Sequence, residues 1–239
     1  MAFVAFNSFQ RLTGSNMKPK RTGPDIYTGT VMPLPSSGTT GANRLALNAN
    51  STTITGITGS LSFMNGNYVS SSSSDTPGVY AYQMFNNTTG NDYWQCNYGG
   101  GSYARDAYSG TPVGTYQGGS LAGQFVTTVV SGQTVSGEWI QIQFPYAFIL
   151  TGYGWYPRNI ASSWIGYQYN IAGSNDGNTW SQVESKTYTS ATAPNYTTYP
   201  VIPVTSTAFY KYYRLICIRT CDQDNWMGSE WYLYGKNYV

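Results

Sequence analysis

The chain has no histidine, and only 9% of its 239 residues are charged. Without histidine, Ser-His-Asp and Cys-His catalytic arrangements are impossible. Carboxylates number only 10, and glycoside hydrolysis needs two of them facing each other across a cleft. Asp222 and Asp224 flank Gln223 in a loop-like stretch, where neighbouring acids are normally just solvated. No enzymatic activity is expected. The formal net charge of +2, with no basic run beyond MKPKR at Met17 to Arg21, argues against a nucleic-acid partner. No apolar run approaches the ~18 residues of a membrane span. The opening MAFVAFNSF lacks the basic start and the long apolar stretch of a secretory signal, so synthesis and assembly in the cytoplasm are expected.

Cysteine is also scarce: Cys96, Cys217 and Cys221. If one strand continues through Cys217 and Cys221, their Cα atoms lie about 13 Å apart, beyond disulfide reach. A bond from Cys96 to either of the others stays open, with buried free thiols the expectation. No histidine and no closely spaced cysteine pair leaves no zinc site.

What is abundant is tyrosine, 23 residues, and glycine, 27 residues. With so little Glu and Lys for a wet helical face, this composition favours strands joined by polar uncharged turns. GEWIQIQF alternates, with Ile140, Ile142 and Phe144 on one face and Trp139, Gln141 and Gln143 on the other, as in a half-buried strand. FILTGYGWY reads as the next strand, across a Pro145-Tyr146 corner. YQYNIAG and a return starting at Trp180 and Val183 flank Asp176-Gly177, a dipeptide suited to a tight reversal. YKYYRLICIRT is apolar on both faces, as in a strand covered on both sides. SEWYLYG closes the chain, with Trp231 and Leu233 opposite Glu230, Tyr232 and Tyr234. The expected fold class is all-β, an antiparallel β-sandwich.

Residues 1–60 read differently. GSNMKPKRTGPDIYTGTVMPLPSSGTTGANR is rich in Gly, Pro, Ser and Thr without periodicity, so residues 1–60 are expected to form an extended N-terminal arm and residues 61–239 the sandwich. The arm carries separated apolar anchors, Phe3, Phe6 and Phe9 at its tip and Ile26 with Tyr27 further on. Such a strip suits docking on another protein subunit.

Five pieces, taken in order over residues 62–236, resemble the discoidin family, the coagulation factor five/eight C-terminal-type domain. They are NGNYVSSSSS with FNNTTGNDYWQC, then GEWIQIQF, GSNDGNTW, FYKYYRLICI and SEWYLYG. GSNDGNTW matches that family's Ser-x-Asp-Gly-x-x-Trp hairpin. The resemblance implies a galactose-binding-like jelly roll. It also implies a structural Ca²⁺ site, whose matching positions here are Asn86, Asn87, Asp92 and Glu230; Asn86 stands where the family commonly has Asp. The ligand-binding end implied by the family corresponds to GWYPRNIASSW, with Trp155, Tyr156, Arg158 and Trp164, and CDQDNWMG, with Asp222, Asp224 and Trp226. These aromatic and polar groups suit a sugar or a protein interface. Membrane docking through Trp164-Ile165 is not expected, given the weak positive charge. Sequons at Asn50, Asn86, Asn87 and Asn195 are what chance supplies in an Asn/Ser/Thr-rich chain.

The expected function is non-catalytic: a virion component, a minor capsid or surface-decorating protein assembled in the host cytoplasm and held to other subunits by the arm. The alternative is a carbohydrate-binding module or lectin at a cell or virus surface, with surface glycans as partners.

Overall fold

The computed structural model describes residues 45–56, 65–88, 91–96, 114–116, 125–156, 158, 166–188, 201–220 and 225–236. Thirteen strands make up most of them, and every named strand pairing is antiparallel. The organising element is β7, Glu138–Tyr156. The sequence suggested two strands here. The backbone instead runs through Pro145 and Tyr146 as one bent strand whose two halves serve different neighbours.

The first half of β7 sits between β2 (Gly66–Ser72) and β11 (Phe209–Thr220). The sheet continues through β8 (Gly166–Ser174) to β9 (Ser181–Thr187) and ends on its other side at β1 (Ser51–Ile54). The second half of β7 pairs with β13 (Glu230–Lys236) and β10 (Ile202–Pro203). One strand thus feeds both layers of an antiparallel sandwich, as a jelly roll requires.

Alternation carries the main core. Ile140, Ile142 and Phe144 are almost wholly buried while Trp139, Gln141 and Gln143 are half-buried, as their spacing predicted. Tyr169, Ile171, Tyr213, Leu215 and Cys217 line the same interior, and Tyr153, Trp231 and Leu233 meet them from the other layer. Across that core the Tyr153 and Tyr169 hydroxyls lie 2.8 Å apart, and Tyr169 continues to Tyr188 at 3.0 Å. Buried hydroxyls need such partners, and the tyrosine-rich composition supplies them in pairs.

The opposite face of β11 is covered too, by the hairpin of β5 (Thr127–Val130) and β6 (Gln133–Ser136). There Val130, Ala172, Trp180 and Ile216 form a second cluster. Within it Arg214 lies 3.9 Å from the Trp139 ring centre and 4.2 Å from that of Trp180. Its Nε and Nη2 donate to Gln141 Oε1 (3.0 and 2.7 Å), and Nη1 donates to Thr128 Oγ1 (2.9 Å). Three motifs read separately in the sequence, Trp139-x-Gln141, Asp176-Gly177 leading to Trp180, and Tyr213-Arg214, therefore close on one guanidinium. The turn that carries Trp180 is held by Asp176, whose Oδ1 accepts from the Asn178 and Thr179 amides (2.8 and 2.7 Å), with Gly177 at φ 76°.

One expectation is corrected. Residues 45–56 belong to the sandwich and not to an arm: β1 adds to β2, and Leu47 is 2% exposed, its amide donating to Phe85 O (2.9 Å). The remainder of the expected arm, including Phe3, Phe6, Phe9, Ile26 and Tyr27, lies outside the described residues. In β13, Glu230 and Tyr234 are buried along with Trp231 and Leu233, because the strand is covered on both sides. Cys96 and Cys217 are buried, Cys96 Sγ accepting from the Trp226 amide (3.2 Å) and Cys217 Sγ donating to Arg219 O (3.3 Å), and Cys221 lies outside the described residues. Among the described residues no helix is long and apolar enough to cross a membrane.

Candidate functional site

Several strands finish at one end of the sandwich. Thr220, the last residue of β11, pairs with Gly166 at the start of β8 and with Gly114 at the start of β4 (Gly114–Thr115). β7 ends nearby at Tyr156, opposite Glu230 at the start of β13. The sequence places its candidate ligand-binding residues on the connections that leave these strand ends. Of them, Trp164, Asp222 and Asp224 lie outside the described residues. Trp155 is placed by its backbone alone, opposite Trp231.

The rest separate clearly. Trp226 is fully buried, edge-on to Trp94 at 4.9 Å, with its amide donating to Cys96 Sγ (3.2 Å). It is part of the core and presents no face to a ligand, which corrects its assignment as a platform. Tyr156 is half-buried with its ring edge-on to Tyr232 at 5.6 Å, and its carbonyl accepts from the Ser229 amide (2.8 Å).

Arg158 is half-buried and leaves guanidinium donors unused among the described residues. Its guanidinium lies 3.9 Å from the centre of the Tyr93 ring, and Nη1 makes only a long contact to Met227 Sδ (3.8 Å). Nε is buried and has no hydrogen-bond partner. Among the described residues no carboxylate pairs with it. Arg214 differs, since its nitrogens already serve Gln141 and Thr128. A stacked guanidinium with donors left over is a fixed, planar set of N–H groups awaiting acceptors. Tyr93 was not singled out from the sequence. The available signal was its place beside Trp94: in an extended segment adjacent side chains alternate faces, so a buried Trp94 turns Tyr93 outward.

The loop that precedes Tyr93 gathers the expected cation-site residues. Asp92 accepts from Asn86 Nδ2 (2.7 Å) and from Gln83 Nε2. Asn86 Oδ1 and Glu230 Oε1 both accept from the Thr88 amide (3.0 and 2.9 Å). Asn86 therefore satisfies Asp92 with its nitrogen and has its oxygen engaged locally. Asn87 sits at φ 61°, with Oδ1 buried and without a donor. Glu230 is 1% exposed. An orphaned amide oxygen near a buried carboxylate fits the all-oxygen chemistry of a hard cation, with Asn87 and Glu230 as its strongest elements. Among the described residues there is no group of three or more His, Cys, Asp or Glu side chains.

The run of serines at 70–74 is fully structured. Ser73 and Ser74 donate to the buried Glu138 carboxylate, which also accepts from Tyr116 OH (3.3 Å). Ser72 donates to Asp75, which in turn accepts from Trp94 Nε1 (2.7 Å). Glu138 thus ties the segment after β2 to β7, Asp75 ties the end of β2 to Trp94, and both are structural groups.

The class defined by this fold is the antiparallel β-sandwich. No protein-family model and no curated protein matches the sequence. Among solved structures the chain is similar to a family 32 carbohydrate-binding module of NanJ from C. perfringens, in complex with galactose. That likeness has 11% identity and a TM-score of 0.48, over 70% of this chain and 93% of the other. It is also similar to a family 32 module of a family 31 glycoside hydrolase from Clostridium perfringens, with 17% identity and a TM-score of 0.46, over 69% and 88% of the two chains. A third is a chitosan-binding module of a chitosanase/glucanase from Paenibacillus sp. IK-5, with 16% identity and a TM-score of 0.44, over 70% and 93%. The likeness is one of fold.

Proposed function

We propose that this protein is a non-catalytic carbohydrate-binding module, with its ligand seated at the end of the sandwich marked by Arg158 and Tyr93. The observation that carries this reading is the Arg158 guanidinium, stacked on Tyr93 with a buried Nε that has no partner. A pyranose offers closely spaced hydroxyl and ring oxygens as acceptors, and a rigid planar donor set is suited to donate to several of them at once. The absence of histidine from the sequence, together with carboxylates engaged by serine, amide and indole donors, supports a binding role without chemistry. A cell-surface or extracellular setting follows from this reading. Trp155, at the end of β7, and Trp164, Asp222 and Asp224, outside the described residues, remain candidate contacts.

A structural Ca²⁺ held by Asn87 Oδ1 and Glu230, with Asp92 in reserve, would brace the loop that presents Tyr93. The virion role rested on an arm whose anchors lie outside the described residues, and no observation on the described residues favours it. A glycan array followed by calorimetry tests the module reading. Binding of a defined saccharide, lost in Arg158→Gln while the fold is kept, is the expected result. Saccharide binding indifferent to that substitution would contradict the assigned site.

A further inference from the structure

We infer that Tyr80 and Tyr82 form a second sugar platform continuous with the Arg158 site, so that the ligand is an oligosaccharide spanning both; this rests on the module reading above. Among the tyrosines whose burial is described, Tyr80 alone is exposed, at 45%. Its ring lies 6.4 Å from that of Tyr82 with only 19° between their planes. The two residues flank Ala81 at the start of a short 3₁₀ turn, Ala81–Phe85, whose Ala81, Met84 and Phe85 are buried in the core. The turn is therefore a rigid mount, and little ordering entropy is lost when a ligand covers the rings.

The surroundings of the pair are polar and directed. On one side Asn50 Oδ1 accepts from the Tyr82 amide (3.1 Å) and from Ser70 Oγ (3.2 Å). Its Nδ2, on an exposed residue, has no partner among the described residues. On the other side the Gln83 amide bridges Tyr80 and Asp92: its oxygen accepts from the Tyr80 amide and its nitrogen donates to Asp92. Asp92 precedes Tyr93, which carries Arg158. One side-chain amide thus links the exposed tyrosine pair to the arginine site. Aromatic rings set beside a free amide donor match a pyranose, which has an apolar C–H face and hydroxyls around its edge. The occupant is a neighbouring sugar of the same glycan.

The experiment takes the saccharide that binds best on the array and measures its one- to four-unit forms by calorimetry. For the unaltered protein, Kd is expected to fall about ten-fold between the monosaccharide and the longest form, equal to about 1.4 kcal/mol. In the Tyr80→Ala, Tyr82→Ala double variant the four Kd values should converge. Tyr80→Phe, which keeps the ring, should restore the gain and serves as the control for fold. Affinity independent of length, or an undiminished gain in the double variant, overturns the second platform and leaves the Arg158 site standing. Absence of binding to every saccharide overturns both.

Discussion

Removing the Arg214 guanidinium is the sharpest perturbation of the fold, because it takes one member from a site built by three separate motifs. Arg214→Ala leaves Gln141 Oε1 without two donors and Thr128 Oγ1 without one, and opens the gap between Trp139 and Trp180. Hydrogen bonds to charged groups contribute about 1.5–3 kcal/mol when buried, and a cation over an aromatic face about 0.5–2 kcal/mol. Arg214 is only partly buried, so water recovers part of each, and the expected net loss is about 3 kcal/mol. For a domain of this size that lowers Tm by roughly 6–12 °C. Burial pushes the Arg214 pKa down to about 10, so the group is a full cation at neutral pH and the loss should be constant between pH 6 and 8. Arg214→Lys keeps charge but not the fork, and should cost about half as much. Urea unfolding followed by tryptophan fluorescence measures both. A loss under about 1 kcal/mol for Arg214→Ala would refute the reasoning and reduce Arg214 to a solvated surface cation. Full rescue by Arg214→Met would assign its contribution to the packed stem instead.

Alkali should unfold the protein through its tyrosines. Burial pushes the Tyr68 and Tyr116 hydroxyls up to about 12, and raises Tyr146, Tyr153, Tyr169 and Tyr213 further. An unfolded tyrosine ionises near pH 10. Below that pH both states hold the proton and stability is complete; above it the unfolded chain releases protons that the fold retains. Each such group then costs about 1.4 kcal/mol per pH unit. Tyrosinate absorbance at 295 nm should therefore rise steeply together with loss of the far-ultraviolet signal, whereas a smooth titration of all tyrosines with the fold intact would contradict this. Trp226→Ala should cost about 3–5 kcal/mol as a core truncation; a cost under 1 kcal/mol would return Trp226 to the surface. If Asn87 and Glu230 hold Ca²⁺, EDTA should lower Tm and added Ca²⁺ restore it, with Asn87→Ala abolishing the response. No calcium in the purified protein and no shift in Tm would leave Asn87 Oδ1 as a plain orphan.

Strands with a strict period of two were legible from the sequence. The Ile140-Ile142-Phe144 face and the doubly covered β11 follow directly from alternation, and the Asp176-Gly177 reversal from its turn chemistry. The edge strand β1 was obscured because Ser51–Ile54 is hydroxyl-rich, and its apolar anchors, Leu45, Leu47 and Ile54, follow no strand period across the segment. The β5–β6 hairpin was overlooked although Ser131-Gly132 sits at its turn with φ of 49° and 81°. Without that hairpin, neither the second apolar cluster nor the Thr128 contact to Arg214 is visible. At the candidate site Arg158 is a candidate that the sequence supplies, but its stack on Tyr93 is not legible there, since it joins residues 65 positions apart. Trp226 was misassigned because a tryptophan in a polar stretch reads the same whether it faces out or in. Its burial against Trp94 is a tertiary fact.

The central claim is that Arg158, stacked on Tyr93, binds a saccharide. The most direct measurement is calorimetric titration of the array's best saccharide into the unaltered protein and into Arg158→Gln, with circular dichroism showing equal fold. The account predicts saturable binding in the first and a loss of about 1.4 kcal/mol or more, at least ten-fold in Kd, in the second. Equal affinity in both proteins, or no saccharide bound by either, would contradict it.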